Sequence, residues 1–138
     1  MPKLYMDSCI VIYLFEGSDT IHEKISGMLR SLSSIGMQIC ISELIRLECR
    51  VGPLMENDTM LLKQYDEFFS IPVIQIFPFN REIFDLAIEI RANYKFKTPY
   101  ALHLATAIYW GCDEFWTNDN RFISITENRI QIVNLFKE

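Results

Sequence analysis

No apolar run in this sequence approaches the ~20 residues that a membrane-spanning helix needs, since the longest extends only from Cys9 to Phe15. There is no C-x-x-C pair and no histidine at zinc-finger spacing, so the four cysteines read as buried reduced thiols and not as a disulfide or zinc framework. Nor is there an excess of base. Thirteen Lys and Arg against 18 Asp and Glu leave a net charge of -5, which excludes an evenly basic nucleic-acid coat and allows at most a local patch. Internal repeats, low-complexity stretches and linkers are also missing. The 138 residues, half of them hydrophobic, therefore read as one domain over 1–138, with core enough to fold without staples. Asp7 interrupts the apolar stretch behind Met1-Pro2-Lys3 where a secretory signal needs an unbroken core. The expectation is a cytoplasmic protein with no membrane partner.

What is present is an alternation of short β-rich runs with longer helical stretches. Strands are expected at Leu4–Met6, Gln38–Ile41, Val73–Ile76, Glu114–Trp116 and Ile130–Val133, and strands separated by helices require crossovers and a parallel sheet of the α/β class. Ile83, Leu86, Ala87, Ile90 and Tyr94 recur at helical spacing, as do Ala101, Leu104, Ala105 and Ile108, which predicts two amphipathic helices. Thr98-Pro99 is a start signal for the second, with Thr98 as cap, and Gly111 marks its end. Residues 20–35 and 43–69 also read as helical, the latter bent at Gly52-Pro53, and residues 9–15 are assigned to helix against the β preference of Ile10, Val11 and Ile12.

Polar residues that a core does not need collect at the strand ends. Asp7 follows the first strand and Thr117-Asn118-Asp119 the fourth, which places both at the carboxyl edge of a parallel sheet, where open α/β proteins bind ligands. Ser42 follows the second strand. Glu48 lies six residues on, beside the apolar Leu44, Leu47 and Val51 of one helix. Two carboxylates 4 Å apart repel by about 4 kcal/mol at an effective dielectric near 20, so Asp7, Glu48 and Asp119 brought together need a divalent cation or an arginine between them. Oxygen ligands alone suit Mg²⁺, with Mn²⁺ as the alternative. Taken singly, the same residues have ordinary uses: Asp7-Ser8 as a helix cap, Glu48 paired with Arg46 or Arg50, and Asn118-Asp119 as a turn. His22 and His103 share no motif and read as surface or packed residues.

Tyr5-Met6-Asp7-Ser8, Ile41-Ser42 with Leu47-Glu48, Ala101-Leu102-His103-Leu104-Ala105-Thr106-Ala107, and Thr117-Asn118-Asp119 with Phe122 behind occur in that order along the chain. Together they resemble the PIN-domain ribonucleases, particularly the small VapC-like toxins of toxin-antitoxin pairs. The resemblance implies a three-layer α/β/α sandwich on a parallel sheet, a Mg²⁺-binding acidic pocket that hydrolyses RNA, a cognate antitoxin and a homodimer. It implies that Asp7, Glu48 and Asp119 are catalytic metal ligands, supported by Ser8, Ser42, Thr117 and Asn118. One position departs: where the family motif usually places its third acidic ligand, this chain has Tyr100. A neutral phenol is a poor ligand for Mg²⁺, so binding and cleavage are expected to be severely weakened. The tyrosine is read either as a one-base substitution that disarms a toxic nuclease or as the native residue of a non-catalytic RNA- or protein-binding module. Retention of the three other acids favours the first. Arg46, Arg50, Lys95, Lys97 and Arg121 are candidate RNA contacts, with Tyr94 and Phe96 interleaved for stacking. A haloacid dehalogenase phosphatase is disfavoured, because Asp7-Ser8-Cys9 lacks a second aspartate two residues on, and a receiver domain lacks its acidic pair.

Overall fold

The computed structural model describes residues 2–119, 121–122 and 130–135. The chain runs β1 (Lys3–Met6), α1 (Ser8–Glu16), α2 (Asp19–Ser34), β2 (Gln38–Ser42), α3 (Glu43–Met55), α4 (Thr59–Phe69), β3 (Ile74–Phe77), α5 (Arg81–Tyr94), α6 (Thr98–Tyr109), β4 (Glu114–Thr117) and β5 (Gln131–Asn134). All neighbouring strands are parallel, in the order β3-β2-β1-β4-β5. Each expected strand is present, shifted by at most one residue at its ends. Parallel pairing buries both faces of a sheet, and the strands are accordingly short, apolar and rich in β-branched and aromatic residues.

Strand order explains the layers. The chain first moves outward from β1 to β2 and β3, then returns across the sheet to β4 on the other side of β1. Right-handed crossovers therefore set α1–α4 on one face and α5–α6 on the other, giving the α/β/α sandwich. The reversal between β1 and β4 opens a crevice at their carboxyl ends.

Three local readings change. The helical stretch 43–69 does break into two, but α3 continues through Gly52-Pro53 and ends at Met55, before Asn57. Gly52 has no Cβ to clash with the proline ring, and Pro53 sits in the last turn, so little helix follows the one N–H bond it forgoes. Asn57, at φ 56, turns the chain left-handed, and the Asp58 carboxylate caps α4 by accepting from Leu61 N–H. Thr98 is not a cap, because its hydroxyl accepts instead from the Arg91 guanidinium at 3.0 Å and lies inside α6. Nor is α6 amphipathic: Ala101 to Ala107 are buried without exception, and Thr106 satisfies its hydroxyl by bonding back to the Leu102 carbonyl. Gly111, at φ 76, ends that helix as its sequence suggests. The four cysteines are free. Among the described residues no helix is long and apolar enough to cross a membrane.

Candidate active site

The crevice at the β1–β4 reversal holds a cavity of about 360 Å³ lined by Asp7, Glu48, Tyr100, His103, Lys97 and Asp119, among others. Asp7 reaches it because it is the residue between β1 and α1. Its extended backbone lets the carboxylate turn back, so Oδ1 accepts from Ser8 N–H at 2.8 Å and caps the helix. Oδ2 accepts from the Thr117 hydroxyl at 2.9 Å, across from the end of β4. The helix-cap use of Asp7 and its place in the cavity are thus the same geometry.

Asp7 is 4% exposed. Burial pushes its carboxyl above the ordinary carboxylate range, while nearby His103 and the Thr117 hydrogen bond pull the other way. Cys9 also lines the cavity, but burial and the neighbouring Asp7 push its thiol up to about 12, so it is no thiolate nucleophile.

Glu48 arrives from α3. The packed face of that helix is Ile45, Cys49 and Pro53, whereas Leu47 and Val51 are exposed, so the apolar stripe expected beside Glu48 faces outward. With a side chain 27% exposed, Glu48 stands at the border of core and solvent, and its Oε1 accepts from His103 Nε2 at 2.6 Å. The same nitrogen lies 3.9 Å from Asp7 Oδ1. Two carboxylates from different elements therefore meet at one imidazole nitrogen.

His103 is the cavity residue that sequence reading leaves among surface or packed histidines. It is packed, at 1% exposure, yet both ring nitrogens are committed to the site. Nδ1 lies 2.8 Å from the Tyr5 hydroxyl, which is 2.8 Å from Ser42 Oγ. Tyr5 is held by stacking on Phe115 at 5.5 Å, and desolvation raises its phenol well above the usual value, so it stays protonated. Two spacings announce these residues. His103 follows Tyr100 by three on a helix, and Tyr5 precedes Asp7 by two at a strand end, so each pair shares a side of its element. His22, by contrast, lies far from the cavity lining, with Nδ1 2.6 Å from the Leu14 carbonyl.

The rim differs. Asp119 lines the cavity, but its carboxylate takes Arg121 Nε at 3.0 Å to each oxygen as well as the other guanidinium nitrogen, and this pairing holds its carboxyl below the usual range. The Arg121 guanidinium lies 5.0 Å from the centre of the Tyr100 ring. Tyr100, half-buried against Phe122, fills the remaining side. Thr117 Oγ1 also accepts from Asp119 N–H at 3.1 Å, tying rim to floor, while the Asn118 amide donates to Tyr13.

Among the other candidate bases, Lys97 lines the cavity and Lys95 is exposed at the end of α5. Arg46 pairs with Glu43 at 3.0 Å and Arg50 with Asp66 at 2.8 Å, both outside the cavity lining. Among the described residues no group of three or more His, Cys, Asp or Glu side chains is placed to hold a metal ion.

A family model described as PIN domain matches residues 4–128. No curated protein matches the chain in sequence. Among solved structures, a toxin-antitoxin complex from Klebsiella pneumoniae is similar at 23% identity, with 98% of this chain and 99% of that one covered and a TM-score of 0.74. VapBC2 from Rickettsia felis, bound to a DNA fragment from its promoter, is similar at 16% identity over 96% and 98% of the two chains, with a TM-score of 0.78. VapC20 from Mycobacterium tuberculosis, a toxin that cleaves the sarcin-ricin loop, is similar at 12% identity over 88% and 93%, with a TM-score of 0.69.

Proposed function

The chain belongs to the PIN-domain family, and from that premise we propose that it is a metal-dependent endoribonuclease of the VapC-like toxin kind, attenuated by Tyr100. The observation that carries the reading is the meeting of Asp7 and Glu48 at His103 Nε2, at the strand-order reversal and inside a cavity that Asp119 also lines.

The floor of this cavity offers two carboxylate donors to a divalent cation, short of a three-residue metal site. A buried carboxylate and a half-buried one are the donor chemistry that a hard cation takes. Asp7 and Glu48 would hold it. A bound Mg²⁺ or Mn²⁺ supplies Lewis-acid polarisation of a phosphoryl oxygen and a water acidic enough to be ionised near neutral pH. The protein's own side chains do the rest. The Thr117 hydroxyl and Ser8 N–H fix the rotamer of Asp7, and the chain Ser42–Tyr5–His103 fixes Glu48. Lys97, on the cavity wall, is placed to meet a phosphate. Tyr100 contributes no charge, and Asp119 is already neutralised by Arg121, so affinity for Mg²⁺ is low. The partners that go with this reading are an RNA substrate, a cognate antitoxin and a second copy of the chain, in the cytoplasm.

The test compares the chain as it stands, Tyr100→Asp and Glu48→Gln on single-stranded RNA, with Mg²⁺ or Mn²⁺ and with chelator. Cleavage that needs metal, rises at least tenfold in Tyr100→Asp and vanishes in Glu48→Gln is the expected result. Equal inactivity of all three forms counts against a nuclease. One observation favours a second reading, a non-catalytic binding module: the Asp119 carboxylate is already paired with Arg121, which also lies over the Tyr100 ring on the same side of the pocket. Tight RNA binding without cleavage, by the unmodified chain and by Tyr100→Asp alike, would support it.

A further inference from the structure

We infer that the side of the Tyr100 ring turned towards the acidic cavity is a stacking site for one unpaired base of single-stranded RNA, with Lys97 beside it for that nucleotide's phosphate. The inference rests on the proposed RNA substrate and concerns how the strand is held.

Placement is the first argument. Tyr100 forms part of the wall of two spaces, the cavity of about 360 Å³ and a recess of about 10 Å³ at the rim that it shares with Phe96, Lys97, Asp119, Arg121 and Phe122. The recess has room for about one water. Arg121, whose guanidinium lies 5.0 Å from the centre of the Tyr100 ring, lines the recess and not the cavity. One side of the ring is therefore covered by the guanidinium, while the other borders a space of the size that holds a small-molecule ligand. Pro99 and Ile12 add apolar surface to the lining of that space.

Rigidity is the second. A stacking platform gains affinity when its ring is held in place before the base arrives. Phe122, 1% exposed, packs edge-on against Tyr100 at 6.1 Å between ring centres, and itself touches Phe115 at 4.8 Å and Phe96 at 5.1 Å. Arg121 is fixed in turn by both oxygens of Asp119, so the cation behind the ring is anchored as well. Every base has a π-face, so such a platform takes an unpaired base of any identity and none that is locked in a duplex.

Charge is the third. Asp7 and Glu48 repel a phosphate wherever no ion stands between, whereas a base carries no net charge and meets no such barrier at the Tyr100 wall. Lys97 lines both the cavity and the recess, next to the ring, where its ammonium answers the phosphate of the stacked nucleotide. Where the family motif has an acidic ligand, this chain thus has a contact to the strand.

The probe is a short RNA in which 2-aminopurine is the only base and the remaining nucleotides are abasic, mixed with the full chain in chelator so that neither ion nor cleavage takes part. Stacking quenches 2-aminopurine emission. On the unmodified chain this RNA is expected to bind at least fivefold more tightly than its fully abasic counterpart, and to be quenched. Tyr100→Phe should keep both effects, and Tyr100→Leu should lose both while binding the abasic RNA as before. The comparison of the two RNAs needs no variant, so it decides the matter even if Tyr100→Leu does not fold. Equal affinity for the two RNAs, or quenching undiminished in Tyr100→Leu, would overturn the inference. Quenching that depends on Tyr100 in a protein that cuts no RNA would uphold the base site while ending the nuclease reading. Metal-dependent cleavage with no quenching would do the reverse.

Discussion

At the floor of the acidic cavity Asp7 keeps a desolvated carboxylate whose neighbours are one hydroxyl, a thiol, a backbone N–H and an imidazole, whereas at the rim Asp119 is closed off by a guanidinium two residues away. The floor is assembled from β1, α3, α6 and β4, elements that only the finished fold brings together, and its charge is left for something else to balance. The rim is local in sequence and balances itself. On the proposed reading a divalent ion would be held at the floor, so a nuclease reading stands or falls on Asp7 and Glu48 before Asp119.

If the floor carries the chemistry, Glu48→Gln should lower metal-dependent RNA cleavage by at least ~100-fold, beyond the usual cost of losing a supporting partner. An equal loss in Asp119→Asn would erase the distinction between floor and rim. Tyr100→Asp comes next. It puts a carboxylate where the ring now meets Arg121, and should raise Mg²⁺ affinity by about tenfold through ligand charge. Calorimetry decides this without reference to activity.

Stability separates the two regions in sign. The carboxyl of Asp7 is raised above its unfolded value, so the unfolded state gives up that proton first. Its contribution to stability falls as pH rises from the unfolded value through the folded one, and remains unfavourable above. Asp7→Asn should therefore melt later than the parent near pH 7 and lose that advantage in acid, as thermal melts at the two pH values read. Asp119 is lowered by Arg121, so its contribution is present above the ordinary carboxylate range and lost as pH falls. With the Arg121 guanidinium largely exposed, the pair is worth little. Arg121→Gln should shift the melting temperature by at most about a degree while raising the carboxyl of Asp119 towards its ordinary value, which a ¹³C-detected titration reads.

The parallel sheet and the strand-end position of Asp7 and Thr117 were legible because strand identity and chain order are local, and order alone puts carboxyl ends together. The bend in residues 43–69 was misplaced because Gly-Pro is a strong local breaker, yet Gly52 relieves the clash and the left-handed turn at Asn57 sets the stop. The burial of α6 could not be read either. Its spacing is that of a one-sided helix, and only the packing of α5, the sheet and the site around it covers the other side. His103 was hidden for the same reason. A histidine at helical spacing among alanines and leucines looks like core until Tyr5 and Glu48, 98 and 55 residues away in sequence, are seen at its two nitrogens.

The most direct measurement is anomalous diffraction from crystals of the unmodified chain soaked in Mn²⁺. One peak within bonding distance of Asp7 and Glu48, with none on Asp119, is expected. A peak on Asp119 away from both, or an empty floor at saturating Mn²⁺, would contradict an ion held by those two carboxylates.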